Sequence, residues 1–150
     1  MKKLLLVITI AVFSCIFAKG QGITVKLSTL TAKLNDTITC SVNVDNFNNI
    51  IAFGVDFTYN NSVLTFLKFT NFAMGGMNYN NVSEQTLNRI LIGWNTLDVN
   101  GISLGNTKII DVQFIYKGGE TDLLINTANT MFMDKNTDIL SYNYSKWEGL

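Results

Sequence analysis

With no histidine in its 150 residues, the chain leaves any chemistry to eleven acidic side chains, two cysteines and its aromatic rings. A Ser or Cys nucleophile thereby lacks its commonest base, and a zinc site lacks its commonest ligand. Paired carboxylates would suffice for glycoside hydrolysis. Here the acids are scattered over turns and strand exteriors, with Asp36, Asp45, Asp98, Asp134 and Asp138 in corner-like contexts. The chain therefore reads as non-enzymatic. Asp134-Lys135-Asn136-Thr137-Asp138 sets oxygen-bearing side chains at alternate positions, as a calcium loop does. Ile139 stands where such a loop needs Gly, and Ser145 where it needs a bidentate Glu, so the segment reads as a hairpin turn. At most it offers a weak surface calcium site at Asp134 and Asp138, and no resident metal or cofactor is expected.

Rings can bind sugars by stacking. Tyr142, Tyr144 and Trp147, with Tyr79, are the candidates, because Phe53, Phe57, Trp94, Phe114 and Tyr116 alternate in phase with apolar neighbours. Tyr142 and Tyr144 fall on one face of the last strand, where they either form a platform for polysaccharide or close the core. Cys40, in phase with Ile38, Val42 and Val44, reads as a small core residue rather than a reactive thiol.

Lys2 and Lys3, an apolar run over residues 4–18, and small residues flanking Lys19 have the anatomy of an export signal, too short to span a bilayer. The expected cut follows Gly20, leaving one domain over 21–150, secreted or at the cell surface. A rival reading makes Val12-Phe13-Ser14-Cys15 a lipoprotein box and tethers the domain through an acylated Cys15, although Phe13 fits that box poorly. Without Lys2, Lys3 and Lys19 the chain has eight basic against eleven acidic residues, a charge of −3. Such mild, dispersed acidity gives no footprint for nucleic acid or for membrane surfaces.

The segment from Asp45 to Phe66 sets the architecture. Ile51, Phe53, Val55, Phe57 and Tyr59 share one face of a strand, and Ala52, Gly54, Asp56 and Thr58 share the other. Similar signals recur over 23–30, 37–45, 63–69, 78–83, 89–95, 107–117, 121–128, 131–134 and 139–144, with Asn and Gly rather than Pro at the corners. Residues 83–87 suit at most one helical turn. Short strands with almost no helix predict an all-β antiparallel sandwich with jelly-roll topology and about nine strands.

The order of these signals resembles the cohesin domain. Leu34-Asn35-Asp36-Thr37-Ile38, Asn46-Phe47-Asn48-Asn49-Ile50 with Ala52-Phe53, and Tyr59-Asn60 with Val63-Leu64 and Phe66 carry the likeness. Arg89-Ile90 with Trp94, Gly101-Ile102, Thr107-Lys108-Ile109 and Phe114-Ile115-Tyr116-Lys117-Gly118 continue it in order. Asn60, Asn61 and Ser62 depart from the Asp and Pro that usually follow the family's Tyr. The resemblance implies a module that captures a helical, dockerin-like protein in extracellular polysaccharide degradation. It also implies a docking sheet built from 78–83, 89–95, 50–59 and 107–117, with Asp56, Thr58, Arg89, Leu91, Asp111, Gln113 and Ile115 pointing outward. A carbohydrate-binding module and a structural component of a surface assembly are the alternatives.

Overall fold

Runs of Val, Ile, Phe and Thr alternating with polar residues must bury one face each, and two sheets laid face to face do so. A computed structural model of the chain describes residues 22–28, 31–86 and 88–145. The expected leader and Trp147 lie outside them. Ten strands are present among the described residues: β1 (Ile23–Leu27), β2 (Thr37–Phe47), β3 (Ile50–Thr58), β4 (Leu64–Thr70), β5 (Val82–Thr86), β6 (Arg89–Asn95), β7 (Gly105–Tyr116), β8 (Leu124–Ile125), β9 (Met131–Asp134) and β10 (Tyr142–Ser145). One sheet runs β10-β1-β2-β7-β4, and the other runs β5-β6-β3 with β8 and β9 both paired to the far side of β3. The expected sandwich is present, one strand richer than anticipated.

The sheets meet through side chains at alternate positions. Val42, Val44 and Phe47 from β2 and Ile110, Val112 and Phe114 from β7 are buried, facing Phe53, Val55 and Phe57 of β3 and Ile90, Ile92 and Trp94 of β6. Phe47 packs edge-on to Phe53 and Phe132 at centroid distances of 5.7 and 6.4 Å, while Phe53 stacks between Trp94 and Phe132. This aromatic cluster joins the two sheets at one end of the core.

Asparagine supplies several corners, with Asn35, Asn46, Asn49 and Asn71 in the left-handed region at φ of 70°, 60°, 56° and 52°. Gly101 is required more strictly: φ is 66°, and a Cβ there would lie 2.6 Å from the Asn49 carbonyl carbon.

Several expectations need correction. Residues 107–117 do not join the sheet of β3 and β6, because β7 pairs on both sides with β2 and β4 in the opposite sheet. The expected turn over 83–87 is strand β5 as far as Thr86, held by its pairing with β6. A single 3-10 turn forms instead at Tyr79–Asn81, where the Asn78 and Asn81 side chains form a reciprocal cap. In β3 a register shift between Ile50 and Ala52 puts Ile50, rather than Ile51, fully in the core. The terminal strands β1 and β10 pair in parallel, although the sheets are otherwise antiparallel.

Candidate functional site

The outer face of the β5-β6-β3-β8/β9 sheet is assembled from strand positions that alternate with the core. Ala52, Gly54, Asp56 and Thr58 come from β3, and Arg89, Leu91, Gly93 and Asn95 from β6 in direct register with them. Across β3, Met131 stands opposite Gly54, Met133 opposite Ala52 and Leu124 opposite Thr58. Leu124 and Met131 are exposed, and Leu91 and Met133 half-buried. The face therefore has small residues in its middle, apolar side chains at Leu91, Leu124, Met131 and Met133, and polar ones at Thr58, Arg89 and Asn95.

Asp56 lies on this face by periodicity but is 0% exposed. The chain joining β8 to β9 passes over it, so that Asn126 and Asn129 donate side-chain hydrogen bonds to its Oδ2 at 3.1 and 2.9 Å. Arg89 completes the shell with Nη2 at 2.6 Å from Oδ2 and Nε at 3.0 Å from Oδ1. The backbone of Asp56 is tied to the same segment, its N–H donating to the Thr130 hydroxyl at 3.1 Å and its carbonyl accepting from the Asn126 N–H at 2.8 Å. Burial pushes the Asp56 carboxyl up. The hydrogen bonds from Arg89, Asn129 and Asn126 and the guanidinium charge outweigh burial, leaving its pKa below the ordinary carboxylate range. The Arg89 cation on this face is thus already committed.

Asp111, Gln113 and Ile115, expected on the same surface, lie on β7 and project from the opposite sheet. The seven anticipated residues therefore divide four and three between two faces. Asp111 is itself 3% exposed and accepts from Ser41 Oγ at 2.6 Å, Asn71 Nδ2 at 2.7 Å and Lys108 Nζ at 2.9 Å. Burial raises its carboxyl, and these bonds together with the Lys108 charge more than reverse the effect. Gln113 donates to the Thr39 hydroxyl at 3.3 Å. This second face is polar and cross-linked to itself.

Both carboxyls have lower pKa values in the folded protein than in the unfolded chain, so their stabilisation is complete above the unfolded value and is lost as pH falls through the folded one. The urea midpoint is accordingly expected to fall progressively as pH drops below about 5. Asp111→Asn should shallow that slope relative to wild type.

Of the remaining candidates, Tyr142 packs against the core and 134–138 forms a turn, Tyr79 and Tyr144 are exposed, and Trp147 lies outside the described residues. Tyr142 is half-buried, with its ring 5.9 Å from Phe132 and its hydroxyl donating to the Thr127 carbonyl at 3.0 Å. It closes the sandwich, whereas Tyr144 is 48% exposed along the same strand. The segment 134–138 is a turn whose Asp134 carboxylate accepts from the Asn136 and Asp138 N–H groups at 2.8 and 3.0 Å. Among the described residues no three of His, Cys, Asp or Glu gather to hold a metal. Cys40 is buried and unbridged, and desolvation pushes its thiol up to about 12. A cleft of about 420 Å³ is lined by Asn46, Asn48, Asn49, Asp134 and Asn136 together with Ile23 and Leu140. Its side chains are largely engaged, Asn46 with the Gly22 carbonyl, Asn49 with the Ser103 hydroxyl and Asp134 within its turn. Among the described residues no helix is long and apolar enough to cross a membrane.

Sequence reasoning missed Asn126, Asn129, Met131 and Met133 as parts of the outer face. Only the alternation in Met131-Phe132-Met133, with Phe132 in the core, hinted that both methionines turn outward.

The fold has clear counterparts. The CaCohA2 cohesin of Clostridium acetobutylicum, in complex with a point variant of CaDoc0917, superposes with a TM-score of 0.73 at 18% identity, covering 84% of this chain and 96% of that one. The third ScaC cohesin of Acetivibrio cellulolyticus, in complex with a ScaB dockerin mutated in its C-terminal helix, gives 0.72 at 13% identity over 84% and 96%. A non-cellulosomal cohesin from the archaeon Archaeoglobus fulgidus gives 0.67 at 17% identity over 85% and 88%. No curated protein matches the sequence. The cohesin domain model matches residues 23–146, and the chain belongs to the cohesin domain family.

Proposed function

We propose that this chain is an exported recognition module, whose leader is residues 1–20 and whose folded domain, 21–150, docks a dockerin-like protein on the outer face of the β5-β6-β3-β8/β9 sheet. Cohesin domains are non-catalytic interaction modules, and several of the solved cohesins that resemble this chain were captured with dockerins. The observation that carries the choice of face is the contrast between the two sheets. On one, Leu91, Leu124, Met131 and Met133 lie around the small residues Ala52, Gly54 and Gly93, and the charges of Asp56 and Arg89 are paired with each other. On the other, Asp111, Ser41, Asn71 and Lys108 satisfy one another. An uncharged apolar surface gains most from being covered. Thr58, Arg89 and Leu91 belong to the interface proposed here, and the buried Asp56 supports it from beneath. Participation in polysaccharide degradation follows from the company that cellulosomal cohesins keep.

The test is calorimetric titration of residues 21–150 with a panel of purified dockerin modules. Leu91→Lys and Met131→Lys should each weaken the best binder at least tenfold, a loss of about 1.4 kcal/mol or more. Gln113→Lys on the opposite face should leave binding unchanged. Loss of binding with Gln113→Lys alone would place the interface on the wrong sheet, and a panel without any binder would remove the dockerin reading.

A further inference from the structure

We infer that the Asn100-Gly101 junction is a modification site at which the chain rearranges its own backbone. Asn100 releases its side-chain nitrogen as ammonia and becomes aspartate or isoaspartate, and only the second product breaks the clamp that holds this turn. The inference holds whatever the domain binds.

The chemistry needs an asparagine side chain that the next residue's backbone nitrogen can attack, and it is least hindered where that next residue has no Cβ. Gly101 is the only glycine in the chain that follows an asparagine. The fold leaves Asn100 available. It is exposed, its N–H donates to Asp98 Oδ1 at 2.9 Å, and its side-chain amide makes no hydrogen bond among the described residues. Asn46, Asn71, Asn126 and Asn129, by contrast, hold their amides in hydrogen bonds.

The step balances without a cofactor or a second protein group. The Gly101 nitrogen bonds to Cγ of Asn100, the Cγ–Nδ2 bond breaks, and ammonia leaves with the proton that the Gly101 nitrogen gives up. Water then opens the cyclic imide at one of its two carbonyls. Opening at Cγ restores the main chain and leaves an aspartate. Opening at the backbone carbonyl leaves the main chain running through Cβ and Cγ, one carbon longer. Either product carries one more negative charge than Asn100 did. The attack requires the Gly101 N–H to leave the Asp98 carbonyl, which it meets at 2.9 Å. That bond closes an exposed turn, so a local opening suffices.

The turn is clamped at both ends, and the clamp separates the two products. On one side the Thr96 N–H donates to the Ile51 carbonyl at 2.8 Å, and on the other Ile102 and Ile50 exchange two backbone bonds of 2.9 Å each. Gly101 lies against Asn49 so closely that a Cβ would come 2.6 Å from its carbonyl carbon. Aspartate fits this frame, because only an exposed side chain changes. An extra main-chain carbon between the clamps does not fit. It lifts Gly101 from Asn49 and draws Ile102 out of register with the fully buried Ile50, at the start of β3.

The test is incubation of the purified protein in warm, mildly alkaline buffer, followed by anion exchange and peptide mass mapping. An acidic form should accumulate, with conversion at Asn100 on the order of tenfold faster than at any other asparagine. Its rate should rise with pH, because the attacking nitrogen must lose its proton. The isoaspartate fraction should lose amide-hydrogen protection at Ile50 and Ile102, whereas the variant Asn100→Asp should keep it. Asn100→Ser should remain a single species. Conversion at Asn100 no faster than elsewhere would overturn the site, showing that the bonds of the turn shield it. Equal protection of Ile102 in the isoaspartate fraction and in Asn100→Asp would overturn the clamp.

Discussion

Asp56→Ala is expected to destabilise the domain by about 3 kcal/mol, lowering its thermal midpoint by on the order of 10 °C. The carboxylate is the single acceptor on which Arg89, Asn126 and Asn129 converge, and it is wholly buried beneath them. Removing it frees three donors at once and leaves the segment between β8 and β9 held to β3 by backbone bonds alone. Asp56→Asn should recover only part of the loss, since the amide keeps one acceptor oxygen but presents its own N–H groups to Arg89. Arg89→Ala should also destabilise, by leaving the buried carboxylate without its cation. Urea melts of the three variants, read at neutral pH, check the order. A midpoint for Asp56→Ala equal to wild type would show that the segment is held by its backbone bonds alone. These residues are therefore poor tools for mapping a partner: alanine there would abolish binding by disturbing the sheet rather than by deleting a contact.

Phe47→Ala should cost roughly 3–5 kcal/mol, against a total stability of about 5–15 kcal/mol for a domain of this size. Phe47 is fully buried at the end of β2, and its ring abuts Phe53 and Phe132 of the other sheet. The cavity left by its loss would open where the rigid ring cluster has little freedom to collapse, which sets the upper end of the range. Phe47→Leu, which fills most of the volume but forfeits the edge-on contacts, should cost less than half as much. Equilibrium denaturation distinguishes them, and equal losses would mean that the contacts between rings, rather than the filled volume, carry the effect.

Strand existence is legible in the sequence wherever one face is buried. The alternation marks β6 over Arg89–Asn95 and β9 over Met131–Asp134 to the residue, and β2, β3 and β7 to within two. The period of two exposes them, since alternate side chains enter the same core. Sheet membership is not legible. β7 has the same inward-apolar, outward-polar rhythm as β3, and nothing in that rhythm says which neighbours it will find. Its position between β2 and β4 is set by pairings across some seventy positions of sequence, such as Ser41 with Asp111. The same gap explains Asp56. Its place in the alternation correctly points away from the core, but a segment seventy positions later returns over it. Gly54 and Gly93 are visible as small outward residues of two separate strands. Their meeting depends on a register that the sequence does not print.

The parallel pairing of β1 with β10 has a mechanical corollary. Ile23 aligns with Tyr142 and Lys26 with Ser145, so the chain enters the sheet at one end of this strand pair and leaves at the other. Tension applied to the two ends of the domain would try to slide the strands along each other, loading their hydrogen bonds together instead of opening them one by one. A tether pulled from both sides would thus meet this sandwich in shear, its most resistant direction, while the proposed docking sheet on the opposite layer stays clear of the line of force.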